Sequence, residues 1–596
     1  MKNNIQNKLI FACLFSLIFS NCGKKTENTN SKNQNNDDNL SEVYNKNFEN
    51  LDLNNYQEQY EKNKTIIINN EKEENSEKYK IIMEKLGGIS FQGNLIILKK
   101  MKEGPKYIVF QETPTKKELN KYLEKLNKKS YKTNSTLVRN DTGISETFEI
   151  SSATVSLVKK NISCPMKLYS NDDETKDYCD RNASLELNYK IDMSGSKATM
   201  KEDPKTGLMI KTDNAKYILM TVSPEEEGGT GWHIAKEINQ GFNRWNVLLT
   251  KRDFVGPYAN KYNFWIKNTT NNREVHLVET FPQNTNPGAS ITKTNGMTVG
   301  ISGGLNAGTS NAHPYAVVNL GASIQVSDSR NVSYVTQEYT IENASYNNIA
   351  SWIWDSKVND KICDYISRKS FNSCHYTEAI WKKSWTANKN KFSAISHKSF
   401  TPTFQAIYKT NKNNVGKSNF EMGTNVETGV ILGKKTSLGF MSYVSIQTDN
   451  YKAPDITQNF SVDWSSPYFA AEQNIRLQNM SETQNTKCIF AQKNKIVTES
   501  ECDESRGQIW GYDNEEKQFK TRIENDFCLS VNQDNFIEVN SCKMNNNQKW
   551  ILNSDGYIQL NSISNKVIGI NSDKRYILVD KNSNSAIKFE AYKAFL

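Results

Sequence analysis

The residues that could perform catalysis do not form a known arrangement. His233 follows the glycine-rich segment Glu227–Trp232, but that segment lacks a lysine at phosphate-loop spacing, which is typical of a turn. The acidic run Glu225–Glu227 lies on a predicted loop and defines no glycosidase pair. Neither H-E-x-x-H nor G-x-S-x-G occurs, and the chain has only 5 histidines. We therefore predict that the protein is not an enzyme and holds no metal or other cofactor.

The N-terminus and the cysteines indicate an exported protein. An apolar run from Leu9 to Phe19 predicts a signal peptide over residues 1–22. Cys22 lies where a bacterial lipoprotein is lipidated, with simple cleavage nearby as the alternative. The later cysteines form local pairs, which predicts disulfides, whereas metal binding is disfavoured by their spacing. The predicted disulfides join Cys164 to Cys179, Cys363 to Cys374, Cys488 to Cys502 and Cys528 to Cys542.

Composition limits the fold and the partners. A chain of 596 residues is too long for one core and predicts several domains. The 75 basic and 66 acidic residues are spread along the chain, so we expect no nucleic-acid partner. Many aromatic residues between Asn, Ser and Thr favour strands joined by polar turns. We predict a mostly β protein.

The chain divides by composition into six segments. Residues 23–60 are polar and predict a disordered tether, and residues 61–129 predict a small α/β unit. Residues 130–149 form a polar linker, in which cleavage is predicted after Lys129 or Arg139; an uncut linker is the alternative. Residues 150–480 predict a large antiparallel β domain, and residues 484–596 a repeat domain.

The repeat domain contains a Gln-x-Trp motif. Gln508 and Trp510 recur as Gln548 and Trp550, and Ile587–Phe589 is a degenerate third copy. This segment resembles the ricin-type β-trefoil lectin domains. In galactose-binding members an aspartate follows the Cys-Leu start, whereas Phe490 and Ser530 stand there in this chain. Glycan binding stays open, with Asp526 and Asn547 as an alternative site.

One hairpin has the pattern of a transmembrane β-strand pair. Residues 294–327 contain no Asp, Glu, Lys or Arg, although 24% of the chain is charged, so about 8 charges would be expected (0.24 × 34). The alternating apolar positions, predicted to face lipid, are Met297, Val299, Ile301, Leu305, Ala307, Ala316, Val318, Leu320, Ala322, Ile324 and Val326. The polar positions, predicted to line a pore, are Thr298, Ser302, Asn306, Asn319, Ser323 and Gln325.

The length of the hairpin also fits a bilayer. Each run covers 11 residues, 297–307 and 316–326, and a tilted membrane strand needs about 9 to 11. One hairpin would leave open edges in hydrocarbon, so several protomers must each contribute one. A half-buried hairpin of a soluble sandwich is the alternative, because it shows the same alternation.

Four segments around the hairpin resemble a known family. They are Glu279–Pro282 before it and Tyr334–Tyr339, Phe400–Phe404 and Phe460–Trp464 after it. Their order is similar to that of the Vibrio cholerae cytolysin type of β-barrel pore-forming toxin, in the wider leukocidin/α-hemolysin family. The resemblance implies a small α/β pro-domain, a leukocidin-like antiparallel β domain with a pre-stem hairpin, and a C-terminal β-trefoil. It also implies a membrane-facing rim at Trp381, Trp385 and Phe400.

The implied function is a hemolysin that inserts one hairpin per protomer into target-membrane lipids. The resemblance implies a secreted protoxin, an activating protease and a homo-oligomer of seven protomers. A lipid anchor at the bacterial surface before release would fit Cys22. One alternative is a surface lipoprotein adhesin that binds host glycans without lysis. Another is a secreted glycosidase with a lectin module.

Overall fold

A computed structural model describes the fold through most of the chain. The described residues are 40–43, 53–70, 76–101, 104–129, 151–162, 167–168, 176–177, 183–198, 200–202, 209–223, 229–245, 250–270, 274–285, 290–295, 298–301, 324–327, 330–335, 339–362, 366–367, 375–379, 386–481, 487–503, 505–524, 526–553, 555–594 and 596. Within them the chain is mostly β, as predicted.

The N-terminal α/β unit is larger than predicted. Its helices are Leu53–Glu61, Ser76–Gly87 and Lys116–Lys129, and its strands are Thr65–Asn69, Ile89–Phe91, Leu95–Met101 and Gly104–Phe110. The first helix lies inside the predicted tether, so that prediction is wrong for residues 53–60. Leu53, Tyr56 and Tyr60 recur at helical spacing and pack on the core, with Tyr60 only 1% exposed.

The first large sheet joins this unit to the β domain. In spatial order its strands include Thr65–Asn69, Leu95–Met101, Gly104–Phe110, Ser151–Ile162, Ala183–Ser196, Ala215–Val222, Phe404–Asn411 and His276–Phe281. Gly104–Phe110 runs parallel to Ser151–Ile162, and the short strand Gly231–His233 pairs with Ala183–Ser196. The N-terminal unit therefore continues the sheet of the β domain.

The second large sheet packs against the first through aromatic side chains. In spatial order its strands include Thr340–Asn343, Ile349–Asp355, Thr250–Asn268, Lys417–Leu438, Met441–Lys452 and His375–Ala379. Asn239–Trp245 pairs with Thr250–Asn268, and Ile456–Asp463 pairs with both Lys417–Leu438 and Ile89–Phe91. Phe404 lies in the core, stacked on Trp352 with ring centroids 4.5 Å apart.

Shorter elements complete the β domain. Its other strands are Lys167–Leu168, Lys176–Asp177, Met200–Glu202, Met209–Lys211, Ser290–Asn295, Thr298–Ile301, Ile324–Ser327, Arg330–Val335, Ile366–Ser367 and Thr386–Ala387. A further strand spans Leu40–Val43. Single 3₁₀ turns occur at Val358–Lys361, Lys389–Lys391, Ala394–Ser396, Pro467–Phe469, Arg506–Gln508 and Asn546–Gln548. No helix in the described part of the chain is long and apolar enough to cross a membrane.

The C-terminal domain begins earlier than residue 484. Its strands are Asn474–Asn479, Lys487–Ala491, Val497–Glu501, Trp510–Asp513, Gln518–Thr521, Phe527–Val531, Ile537–Ser541, Trp550–Leu552, Ile558–Leu560, Lys566–Ile570, Tyr576–Asp580 and Phe589–Lys593. Asn474–Asn479 pairs with Lys487–Ala491, Trp510–Asp513 and Phe589–Lys593, so it belongs to this domain. The predicted boundary followed the repeat motifs, and this strand carries none. It pairs with strands of both the first and the last repeat.

The Gln-x-Trp motifs build the core of this domain. Trp510 and Trp550 are fully buried. Gln508 accepts a hydrogen bond from the Asp503 backbone N–H and donates one to the Glu501 carbonyl, at 2.8 and 2.6 Å. Gln548 repeats this with Lys543 and Ser541. These four residues therefore have the structural role that Gln-x-Trp repeats usually serve.

Two of the four predicted disulfides are confirmed. Cys488 bonds to Cys502 and Cys528 to Cys542, each across a separation of 14 residues. Each bond closes within one repeat. The other two pairs, Cys164 with Cys179 and Cys363 with Cys374, lie outside the described residues, as do Cys22 and Arg139.

Candidate functional site: the hairpin, the pro-domain seat and the trefoil

The hairpin is described near its base as a two-stranded ladder. Ser290–Asn295 pairs with Arg330–Val335, and Thr298–Ile301 pairs with Ile324–Ser327. The paired residue numbers sum to the same value in both segments (290 + 335 and 298 + 327 both give 625). The two segments therefore share one register and form a single hairpin.

This register places like residues opposite each other. Val299 pairs with Val326 and Ile301 with Ile324, while Gly300 pairs with Gln325. Residues directly opposite in an antiparallel pair share one face of the sheet. The positions predicted to face lipid on the two strands therefore share one face, and those predicted to line a pore share the other. The remaining predicted stem positions lie outside the described residues.

The base of the hairpin is clamped to the body of the β domain. The backbones of Thr285 and Ile341 exchange two hydrogen bonds of 2.9 and 3.0 Å. Asn343 donates to the Pro282 carbonyl at 2.8 Å, and the Trp352 indole donates to the same oxygen at 3.2 Å. The chain therefore enters and leaves the hairpin at one fixed point.

Above the clamp, the hairpin lies against the first sheet. Cα atoms of Thr298–Ile301 come within 8 Å of those of Ala183–Ser196. The hairpin backbone near its base is thus held beside the body in this structure.

The N-terminal unit, predicted to be a pro-domain, is seated by backbone pairing on both sheets. Gly104–Phe110 pairs with Ser151–Ile162 of the first sheet, and Ile89–Phe91 pairs with Ile456–Asp463 of the second. Gly104 comes so close to Ser152 that a Cβ there would lie 2.3 Å from its carbonyl oxygen. The unit therefore covers a strand edge, that of Ser151–Ile162, which would otherwise be open to another chain.

A buried arginine of the C-terminal domain holds the same unit. The Arg506 guanidinium, 3% exposed, donates to the backbone carbonyls of Lys85 and Leu86, where the helix Ser76–Gly87 ends. Cations stabilise the partial negative charge at a helix C-terminus. The Tyr468 hydroxyl also donates to the Leu86 carbonyl, at 3.1 Å. The N-terminal unit is thus fixed by the β domain and the C-terminal domain together.

An ionic cluster joins the C-terminal domain to the β domain. Asp513, fully buried, pairs with Lys520 at 2.9 Å and with Lys197 of the β domain. Glu472 pairs with Lys520 at 3.1 Å and with Arg522 at 3.4 Å. Burial alone would raise the pKa of both carboxyl groups, but the neighbouring cations outweigh it and hold each pKa below its ordinary value.

The cluster predicts how the interdomain junction responds to acid. A carboxyl whose pKa is depressed in the folded state contributes stability above its unfolded pKa, about 3.9 to 4.3, and loses it as the pH falls further. We expect the thermal unfolding midpoint of the C-terminal domain to change little between about pH 7 and 5 and to fall steeply below about pH 4. Scanning calorimetry across this range checks it; most of the loss above about pH 5 would contradict the assignment.

The predicted rim is partly corrected. Phe400 is buried at 6% exposure and stacks on Tyr262 with ring centroids 4.0 Å apart, so it is a core residue and not a membrane contact. Aromatics among lysines suggested a surface, but the backbone bridge from Phe400 to Trp232 turns its ring inward. Trp381 and Trp385 lie outside the described residues, just beyond the strand His375–Ala379.

The three trefoil repeats differ at the position of the family's sugar-binding aspartate. In the first repeat, Phe490 lies so close to Gly507 that a Cβ on Gly507 would lie 2.3 Å from its ring. In the third, a Cβ on Gly569 would lie 2.4 Å from the Ser585 carbonyl oxygen. In the first and third repeats, packed protein atoms therefore occupy the space around the position of the sugar-binding aspartate. In the second repeat the position carries Ser530.

A polar cluster surrounds Ser530. The Asn540 amide donates to Ser530 Oγ at 3.0 Å and to Glu538. Asn547 is exposed and donates to the Val531 carbonyl at 3.3 Å, which places it beside the strand that carries Ser530. Asp526 is exposed in the turn that precedes this strand. Ser530 itself is buried at 2% exposure, so Asn547 and Asp526 carry the exposed hydrogen-bonding groups beside this position.

Several of these contacts were missed from sequence. Arg506 follows Ser505 at the end of a loop and looks like an ordinary surface residue. Glu472, Asp513 and Lys520 are separated along the chain and carry no motif. Within the described residues no group of three or more His, Cys, Asp or Glu could hold a metal ion.

Comparison with known proteins identifies the two large domains. Residues 213–466 match the Leukocidin/Hemolysin toxin family, and residues 474–589 match the ricin-type β-trefoil lectin domain. A cytolysin of Vibrio vulnificus is 26% identical over 70% of this chain and 87% of its own length. A hemolysin of Aeromonas hydrophila is 25% identical over 63% of this chain, and one of Vibrio cholerae is 22% identical over 72%.

The match spans different shares of these relatives. It covers most of the Vibrio vulnificus protein, but only 59% of the Aeromonas hemolysin and 56% of the Vibrio cholerae one. The matched toxins are pore formers and not enzymes. Two consecutive parts of the chain thus match a leukocidin/hemolysin toxin family and a ricin-type β-trefoil, and the chain is similar to cytolysin-type hemolysins, as its sequence indicated.

Proposed function

We propose that the chain is an extracellular protoxin that assembles on target membranes and inserts one hairpin per protomer. The observation that carries the proposal is the hairpin register, which puts Val299 opposite Val326 and Ile301 opposite Ile324. If the same register continued toward the turn, all the predicted apolar positions would share one face. In a closed barrel that face meets lipid and the other lines water.

The pro-domain keeps the protomer from assembling. Its strand Gly104–Phe110 occupies the edge of Ser151–Ile162 that a second copy could pair with. Proteolysis after Lys129 or Arg139 cuts the chain between these two strands. After the cut, core and backbone contacts still hold the unit in place. Assembly therefore also requires the unit to dissociate. Seven protomers, the number implied by the family resemblance, would form a barrel of 14 strands, which is wide enough for an aqueous channel.

Two features of the N-terminus and the trefoil complete the proposal. Signal-peptide cleavage and lipidation at Cys22 would anchor the protoxin at the bacterial surface, and the activating cut would release the toxin body. The exposed side chains of Asn547 and Asp526 in the second repeat would contact cell-surface glycans. The departure from aspartate at Ser530 favours a sugar other than galactose.

Calcein release from liposomes tests the pore. We expect the full-length protein to release no dye before trypsin treatment and to empty the liposomes after it. An adhesin without lytic activity would release nothing in either state, and that result would refute the proposed function. Hydrolysis of a chromogenic glycoside would instead support the glycosidase alternative. Liposomes that carry erythrocyte glycolipids, compared with plain ones, show whether Asn547→Ala reduces a glycan-dependent part of the release.

A further inference from the structure

The N-terminal unit covers the edges of both sheets on one side of the β domain. Its strand Gly104–Phe110 pairs with Ser151–Ile162 of the first sheet, and its strand Ile89–Phe91 pairs with Ile456–Asp463 of the second. We call these two covered strands of the β domain the seat. Because both strands lose a partner when the unit leaves, its release opens two strand edges on the same side.

Two other edge strands lie on the opposite side of the β domain. His276–Phe281 is the last strand of the first sheet in spatial order, and Thr340–Asn343 is the last strand of the second. The Leu277 N–H donates a hydrogen bond of 3.3 Å to the Asn348 side chain, so the turn after Thr340–Asn343 lies beside His276–Phe281. We call these two strands and this turn the far side.

The far side has exposed apolar side chains and an exposed carboxylate. Tyr346, in the turn, is 61% exposed, and Val278, at an irregularity in His276–Phe281, is 55% exposed. Glu342 is exposed on Thr340–Asn343. Tyrosine is among the residues that most often anchor protein interfaces. The far side is therefore a candidate interface that the folded monomer leaves uncovered.

The seat has charges opposite to that carboxylate. Lys159 pairs with Glu112 at 2.5 Å, and Lys160 pairs with Glu118. Both lysines belong to the seat, and both glutamates belong to the N-terminal unit. Release of the unit therefore removes the carboxylate partner of each lysine. A surface that brings a carboxylate to the same place would restore the lost attraction.

The seat also loses an aromatic contact on release. Phe460 is buried while the N-terminal unit is bound, and its ring centroid is 5.7 Å from that of Phe91. Removal of Phe91 leaves one side of Phe460 without its apolar neighbour. An aromatic side chain from another surface would therefore be favoured there.

Strand register places Glu342 at about the level of Lys159 along the strands. The row of residues that starts at Lys159 crosses the first sheet through Leu185, Trp232 and Phe400. The register of the last two strands of this sheet brings the row to the neighbourhood of Thr285. The backbone of Thr285 is hydrogen-bonded to Ile341, which precedes Glu342. The acidic group and the cation therefore lie at similar heights on opposite sides.

The second sheet aligns the aromatic residues in the same way. Phe460 pairs with Phe420, and Phe420 pairs with Asn268. The Asn268 N–H then donates to the Asn348 carbonyl at 3.2 Å, in the turn that carries Tyr346. Tyr346 and Phe460 are therefore also at similar heights on the two sides.

We propose that the freed seat of one protomer binds the far side of a second copy of the chain. Tyr346 of the second copy takes the place of Phe91 beside Phe460, and Glu342 of that copy pairs with Lys159. Two different complementary surfaces on opposite sides of one domain join copies head to tail, which closes a ring when the angle permits. This inference rests on the proposed function, because the seat is free only after the pro-domain has left.

Oligomer formation by the trypsin-activated full-length protein tests the interface. The protein is incubated with phosphatidylcholine–cholesterol liposomes, extracted with mild detergent and separated by native electrophoresis. Tyr346→Ala should raise the protein concentration for half-maximal oligomer formation by about tenfold or more, because it removes the aromatic anchor. Glu342→Lys should raise it by about tenfold or more, because it places two cations opposite each other. Unchanged oligomer formation by both variants would refute the inference.

A charge exchange tests the pairing itself. Lys159→Glu should also impair oligomer formation by about tenfold or more. Glu342→Lys and Lys159→Glu combined in one chain restore an opposite-charge pair, so the concentration should return to within about threefold of wild type. A double variant no better than either single variant would show that Glu342 and Lys159 do not meet.

Matched controls come from exposed residues of the C-terminal domain. Ile563, 48% exposed, and Glu524, also exposed, lie outside the seat and the far side. Ile563→Ala and Glu524→Lys should form oligomers like wild type. If they impair oligomer formation as much as Tyr346→Ala and Glu342→Lys do, the far side has no special role. Thermal unfolding like that of wild type, measured before trypsin treatment, confirms that each variant is folded.

Calcein release separates this inference from the proposed function. If oligomers form in the predicted order among the variants but wild type releases no dye, the interface stands and the pore is refuted. If wild type releases dye and the far-side variants form oligomers and release dye as well as it does, the pore stands and the interface is refuted.

Discussion

Replacing Leu320 by arginine should abolish calcein release by the activated protein. Leu320 is next to the middle of the run 316–326 and is predicted to face lipid. An arginine at the bilayer midplane on the lipid face of a barrel costs about 2–4 kcal/mol. Seven copies, the ring size implied by the family resemblance, would cost about 14–28 kcal/mol for one barrel. Such a cost should stop insertion, while binding of the protein to vesicles should persist.

The neighbouring residue supplies the control. Asn319→Arg adds the same charge one position along the chain, on the face predicted to line water. This variant should still release dye, and its channels should shift toward anion preference because each protomer adds a positive charge to the lumen. Planar-bilayer conductance measures that shift. Loss of release in both variants, or in neither, would contradict the assignment of the two faces.

A disulfide between the pro-domain strand Gly104–Phe110 and the neighbouring strand Ser151–Ile162 should prevent the cleaved protein from releasing calcein. Lys106 and Thr154 are register partners on the parallel strands Gly104–Phe110 and Ser151–Ile162, and both are partly exposed. A disulfide between Lys106→Cys and Thr154→Cys should hold the pro-domain after trypsin cuts the linker. We expect leakage to be undetectable in the oxidised protein and to appear when reductant is added.

This disulfide tests whether cleavage of the linker is enough for leakage or whether the pro-domain must also dissociate. Each single cysteine variant, treated in the same way, should leak before and after reduction. Wild type with reductant shows whether the native disulfides, such as Cys488 with Cys502, affect the assay. Full leakage by the oxidised, cleaved double variant would show that the edge of Ser151–Ile162 need not be freed, and the proposed role of the pro-domain would be wrong.

Local and periodic features of the fold could be predicted from the sequence. The alternation around Val299 and Ile301 predicted a hairpin because strand faces have a period of two residues. The recurrence of Gln508 and Trp510 as Gln548 and Trp550 predicted a trefoil because each copy builds the same part of one core. The pairing of Cys488 with Cys502 followed from their closeness along the chain.

Contacts between distant segments could not be predicted in this way. The partner of Gly104–Phe110 lies beyond a linker of more than 20 residues, and no periodicity reports which edge a strand joins. Phe400 stands near several lysines in the sequence, yet tertiary packing stacks its ring on Tyr262. Arg506 contacts backbone carbonyl groups, which every residue has. Residue types therefore do not indicate which residues are its partners.

The turn between the strands Lys417–Leu438 and Met441–Lys452 has a signal in the sequence. Leu438, Gly439, Phe440 and Met441 join two long runs with strand alternation, and a glycine between two such runs indicates a tight turn. Apolar residues at a turn are unusual on a protein surface. Their exposure depends on tertiary packing, which leaves Phe440 80% and Leu438 71% exposed, so it could not be predicted from the sequence.

Hydrogen exchange across residues 290–335 tests whether the hairpin leaves the soluble fold and enters the bilayer. The trypsin-activated protein is measured in solution and on liposomes, with the untreated protein as reference. We expect amides in 302–323 to exchange much more slowly on the bilayer than in solution, because the hairpin becomes part of a closed barrel. Identical exchange in both states, with the activated protein fully bound to the liposomes, would contradict it.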